Sequence, residues 1–117
     1  MTQSAPTFDP VADLPAIIAS VARKEMILVD VRGIQEVEVS GIAQGAIHIP
    51  LLQIPAMADP ASPECLDVFK LGLPVALYCA TGVRSGKAAQ QLQEYGHLYA
   101  VNIGGLKDWT GAGGPLA

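Results

Sequence analysis

The stretch Pro74-Val75-Ala76-Leu77-Tyr78-Cys79-Ala80-Thr81-Gly82-Val83-Arg84-Ser85 decides the fold. Its first half is a short apolar run entered through proline, as expected for a strand buried on both faces of a parallel sheet, where proline is tolerated before the ladder begins. Its second half holds a glycine and then the start of an Ala- and Gln-rich segment that reads as a helix from Ser85 to Tyr95, ending at Gly96. Strand, tight loop and helix N-terminus therefore follow one another directly. At such a junction successive backbone N–H groups can curl into a concave, anion-attracting nest, and the helix end adds unpaired donors and positive dipole.

Working outward, Met26-Ile27-Leu28-Val29-Asp30 has the same character, Leu98 to Asn102 makes a third strand and Ala46 to Ile49 a short fourth; Thr7-Phe8 is a weaker signal. Between them, Leu14, Ile17, Ile18 and Val21 recur at helical spacing behind Asp13, with Pro15 in the first turn. Ser62-Pro63-Glu64 reads as a further helix start leading into Cys65 to Phe69. The alternation predicts an α/β domain, a parallel sheet with helices on both faces. A chain of 117 residues, half of them hydrophobic, is one domain over 1–117, with residues 1–6 and the Gly- and Pro-rich tail 111–117 expected to be loose.

A formal charge of −4 argues against nucleic acid, which needs a basic surface, and no stretch approaches the length of a membrane span. From Met1 to Pro10 only Phe8 is a large apolar side chain after Met1, so no secretory signal is expected. The two thiols, Cys65 and Cys79, are read as reduced and the location as cytoplasmic. With seven Lys and Arg in the whole chain, Arg84 and Lys87 close behind Cys79 point to an anion there; a solvated helix start is the plain alternative. A lone cysteine ending a buried strand is in general a small core residue. Here the loop donors favour a thiolate instead, and Gly82 permits the backbone to turn with positive φ.

Cys79-Ala80-Thr81-Gly82-Val83-Arg84-Ser85 resembles the active-site loop of the rhodanese-like sulfurtransferases, C-x-x-G-x-R-S. Leu28-Val29-Asp30-Val31-Arg32 with Glu36, Gly41 with Gly45-Ala46-Ile47-His48-Ile49-Pro50, and Asn102-Ile103-Gly104-Gly105-Leu106 with Trp109 are similar to the other segments of that family, in its order, over roughly residues 26 to 110. Ile42, Gln44 and His48 depart from the family's His, Pro and Asn, which touches the cleft rim more than the chemistry. The resemblance implies a single rhodanese-like domain in which Cys79 takes the outer sulfur of a small donor such as thiosulfate and hands it, through a persulfide and without a bound cofactor or metal, to a thiol or cyanide. It implies that Arg84 offsets the donor's charge, that Ala80, Thr81, Gly82, Val83 and Ser85 form the anion-binding loop, and that Lys87 decorates the mouth. Asp30, Arg32, Glu36 and Trp109 are expected to be structural, Arg32 and Glu36 as an ion pair rather than a substrate contact, and Trp109 as core. His48 is a packing histidine before it is a base, and Cys65 a packing residue before it is a resolving thiol.

Three other functions compete. A sulfur-relay or regulatory module would act only with an acceptor protein. A cysteine phosphatase shares the strand, loop and helix, but its C-x-x-x-x-x-R spacing exceeds that from Cys79 to Arg84 by one residue. A cysteine hydrolase needs a histidine partner, and no motif places His48 or His97. Walker-type phosphate binding fails, since Gly82 and Gly86-Lys87 are one residue too close and Ala88 stands where Ser or Thr is required. Two cysteines without ligand spacing make zinc unexpected.

Overall fold

A computed structural model describes residues 13–97 and 99–117. In chain order the elements are α1 (Leu14–Ala22), β1 (Ile27–Asp30), α2 (Ile34–Ser40), β2 (Ala46–His48), a 3-10 turn (Leu51–Gln53), α3 (Ile54–Ala58), a second 3-10 turn (Asp67–Lys70), β3 (Val75–Cys79), α4 (Val83–Glu94), β4 (Ala100–Gly105) and α5 (Leu106–Gly111). The four strands form one parallel sheet in the order β2-β1-β3-β4.

Because side chains alternate across a strand, each central strand feeds two cores. Ile27, Val29, Val75, Leu77 and Cys79 face one side and pack with Ile54, Ala58, Phe69, Ala88 and Leu92 from α3, the second 3-10 turn and α4. Leu28, Ala76 and Tyr78 face the other and pack with Leu14, Ile17 and Val21 of α1 and Trp109 of α5. The expected arrangement of helices on both faces is what the chain adopts. All of β3 is buried, which is why it reads as an unbroken apolar run rather than an alternating one. Its one phenol is satisfied, since the Tyr78 hydroxyl accepts the N–H of Ala43 at 3.0 Å, and burial pushes the group well above the ordinary tyrosine range.

Several expectations are corrected. The helix expected from Ser62 is absent. Asp59 Oδ1 accepts the Ala61 N–H and Ser62 Oγ the Glu64 N–H, so side-chain turns satisfy the backbone until the short 3-10 turn. β4 begins later than expected and runs into the double glycine, where Gly105 lies so close to the Ala80 carbonyl that a Cβ would collide with it. Nothing in the apolar spacing announces α2, because it contributes no buried residue. The tail 111–117, expected to be loose, is tied down: Pro115 O accepts both the Trp109 indole N–H and the Gln44 N–H at 2.9 Å, the Ala117 N–H donates to Ile42 O, and Leu116 bridges to Ala43. A buried indole requires an acceptor, and the tail supplies it. Residues 1–6, the strand signal at Thr7-Phe8 and Leu98 lie outside the described residues. Among the described residues no helix is long and apolar enough to cross a membrane.

Candidate active site

Parallel strands bring their C-terminal ends to one edge of the sheet, the edge at which open α/β sheets bind ligands. Cys79 ends β3 there, and α4 begins four residues later. Gly82 caps α4 with a φ of 99°, a left-handed conformation that turns its N–H back toward the strand it has just left. That N–H donates to Cys79 Sγ at 3.0 Å, and the Ser85 hydroxyl lies 3.3 Å from the same sulfur. Burial pushes the thiol up. The Ser85 hydroxyl and the N–H groups of Ser85, Thr81 and Gly82 outweigh it and bring the thiol down to about 7. The amides thus point inward, as an anionic sulfur needs, although Cys79 itself has no exposed surface in this state. Ala80, Thr81 and Val83 around it are exposed.

The charges are arranged otherwise than expected. Arg32 does not pair with Glu36. Its guanidinium, itself buried, binds Asp30 at 2.7 to 3.0 Å, donates to Ser40 Oγ and the Gly41 carbonyl, and lies 5.6 Å from the centre of the Tyr78 ring. The pair ties the end of β1 to the end of α2. Glu36 instead accepts two hydrogen bonds from Arg84, at 2.6 and 2.8 Å, and one from the Gly33 N–H. Arg84 holds the Glu36 carboxyl down at about 2, and Glu36, with a smaller contribution from the nearby Cys79, raises Arg84 above its ordinary range. Arg84 therefore stands beside the thiolate with its charge already shared, not as a free cation facing the pocket.

Lys87 is exposed one turn along α4. His48 Nε2 lies 2.7 Å from the Arg32 carbonyl, a bond that needs the proton on Nε2 and leaves the ring structural. Trp109 sits in the core beside α1. Cys65 is buried among Phe69 and its neighbours, with no disulfide to Cys79. Asn102 precedes the double glycine, and nothing in the sequence marks it as part of the site. It reaches the loop from β4, with Nδ2 donating to the Gly82 carbonyl at 2.8 Å and Oδ1 2.7 Å from Ser85 Oγ. Spacing could not have disclosed these contacts, which join residues 17 and 20 positions apart. An apolar cavity of about 590 Å³ lies elsewhere, lined by Val21, Ile27, Val68 and Trp109 among others, and includes no residue of the 79–85 loop.

The chain belongs to the rhodanese-like domain family, whose sequence model matches residues 14–112. Among particular relatives, the chain is 40% identical over 65 residues to thiosulfate sulfurtransferase PspE of Escherichia coli, covering 56% of this chain and 57% of the relative. It is 39% identical over 85 residues to the uncharacterized protein YqhL of Bacillus subtilis, covering 72% and 60%. Both matches thus span less than two thirds of the relative. Of solved structures, the human single-domain sulfurtransferase TSTD1 superposes with a TM-score of 0.69 at 25% identity, over 92% of this chain and 97% of that one. A Rhodopseudomonas palustris protein of unknown function, described as a possible tyrosine phosphatase, superposes with a TM-score of 0.77 over 100% of both chains. At 24% identity that likeness shows the fold alone.

Proposed function

We propose that this domain is a sulfurtransferase that moves a sulfane sulfur from a small donor such as thiosulfate to a thiol or cyanide through a persulfide on Cys79. The observation that carries the proposal is the inward turn of the Gly82 N–H and Ser85 hydroxyl onto Sγ, which holds the thiol near neutrality despite its burial. In the first half-reaction the Cys79 thiolate attacks the outer sulfur of thiosulfate. The S–S bond of the donor breaks and sulfite leaves with the electron pair. In the second, the acceptor attacks the terminal sulfur and the Cys79 thiolate departs, giving thiocyanate or an acceptor persulfide. No oxidant or separate general base is needed, and the same amides that favour the thiolate suit the persulfide anion. Since Cys79 has no exposed surface, attack requires the loop mouth to open. Both free thiols fit a reducing compartment such as the cytoplasm.

The test is mass spectrometry of the intact protein after thiosulfate treatment, followed by cyanide. Gain of one sulfur atom on Cys79, lost again to cyanide over many turnovers, supports the proposal; an unchanged mass overturns it. The rate of loading is expected to follow the thiolate. Below the Cys79 value of about 7 it should fall roughly tenfold per pH unit, and above it level off. Glu36 is ionised throughout that window and contributes no second inflection. A profile measured from pH 5 to 9 checks this. Cys65→Ser is expected to leave loading and turnover within about twofold of the parent, because Cys65 packs in the core and the chemistry above uses a single sulfur; the thiocyanate assay reads it.

One observation favours a second reading, a relay module that acts with an acceptor protein. The sulfur is covered and Arg84 is occupied by Glu36, so a small anionic donor finds no free guanidinium at the loop. Loading without turnover on cyanide, restored by an added thiol protein, would distinguish this case.

A further inference from the structure

The two groups that hold the sulfur, the Gly82 N–H and the Ser85 hydroxyl, share a third partner. Asn102 on β4 donates from Nδ2 to the Gly82 carbonyl, which fixes the peptide whose neighbouring N–H reaches Sγ. Its Oδ1 accepts the Gly104 N–H at 3.0 Å and lies 2.7 Å from Ser85 Oγ. Ser85 has one hydroxyl proton, and three acceptors stand around it: Oδ1 at 2.7 Å, Sγ at 3.3 Å and the Gly104 carbonyl at 3.4 Å. When Cys79 is a thiol, its S–H can donate to Ser85 Oγ while Ser85 donates to Asn102. When Cys79 ionises, the hydroxyl turns to the sulfur and Asn102 keeps the Gly104 N–H. Ser85 stays paired in both states, so ionisation leaves no buried donor or acceptor stranded.

We propose that Asn102 is a positioning residue of the sulfur site, which keeps the Gly82 N–H and the Ser85 hydroxyl aimed at Cys79. Nothing in the C-x-x-G-x-R-S loop carries this role; it comes from the strand after the helix. Among the described residues, the charged groups that face Cys79 are Arg84 on α4 and, bound to it, Glu36 on α2. Asn102 hydrogen-bonds to neither, so its influence passes through Gly82 and Ser85. The inference rests on the sulfurtransferase proposal only in taking the thiolate as the working species.

The experiment is alkylation of Cys79 by iodoacetamide across pH 5 to 10 in the parent and in Asn102→Leu, which has similar volume and no hydrogen-bonding groups, both carrying Cys65→Ser so that one thiol reports. The Cys79 inflection is expected to move up by about one unit. The rate at pH 7 should then fall about fivefold and be regained above pH 9. A residue that merely holds the fold would lower the melting temperature and leave the inflection in place, and that result overturns the proposal. If Asn102→Leu does not fold, Asn102→Ala carries the same comparison. It removes both hydrogen bonds without adding a charge, and the inflection should again rise; an unchanged value overturns the proposal equally. Thiosulfate loading of the parent is run beside it. No sulfur uptake with a shifted inflection in the variant removes the sulfurtransferase proposal and keeps the role of Asn102, whereas uptake with an unshifted inflection does the reverse.

Discussion

Cys79→Ser is expected to reduce sulfur loading from thiosulfate to background, a loss of about a thousandfold or more. A serine hydroxyl in this loop meets the same donors, but its proton leaves many pH units above neutrality, and oxygen cannot carry the second sulfur as a persulfide. The remaining binding groups cannot compensate, because they act on a charge that would no longer form. The substitution is nearly isosteric, and the Gly82 N–H and Ser85 hydroxyl still find an acceptor. The variant should therefore melt within a few degrees of the parent. Intact mass after thiosulfate, with the thiocyanate assay alongside, reads the result. Persistent loading at the parental rate would place the chemistry on another residue.

Asp30→Ala should cause the largest loss of stability, about 3 to 5 kcal/mol. Arg32 is almost wholly buried, and among the described residues Asp30 is the only acid that accepts a hydrogen bond from it. Removing the carboxylate leaves a guanidinium beneath the surface with only Ser40 Oγ and the Gly41 carbonyl to receive it. Against a total of about 5 to 15 kcal/mol for a domain of this kind, the loss is a large fraction. Urea denaturation should show a lower midpoint with an unchanged slope, since the surface exposed on unfolding is the same. Asp30→Asn, which keeps an oxygen acceptor for Arg32, should lie between parent and Asp30→Ala. An unchanged midpoint for Asp30→Ala would mean that Arg32 rehydrates without cost.

Asp30 and Arg32 also mark where sequence inspection succeeds and where it stops. Both belong to one local motif, and they bind each other, two residues apart. The sequence pattern, however, pairs Arg32 with Glu36, the next acid downstream. In the folded protein Glu36 turns to Arg84, 48 residues away, because the parallel pairing of β1 with β3 sets the start of α2 beside the start of α4. No periodicity encodes that meeting. The same limit applies to Asn102, whose importance depends on β4 lying next to β3, and to the tail, whose glycines predict freedom until the Trp109 indole claims the Pro115 carbonyl.

The buried strands and the cysteine, glycine and helix junction at the end of β3 are legible in the amino-acid order, because strand burial follows from apolar runs and because these groups, within seven residues, meet locally. Folding sets the surroundings of that sulfur: which acid occupies Arg84, which side chain steadies the loop, and how deeply Cys79 is covered. Those depend on contacts between segments far apart in the chain, and such contacts exist only once the sheet has set its strand order.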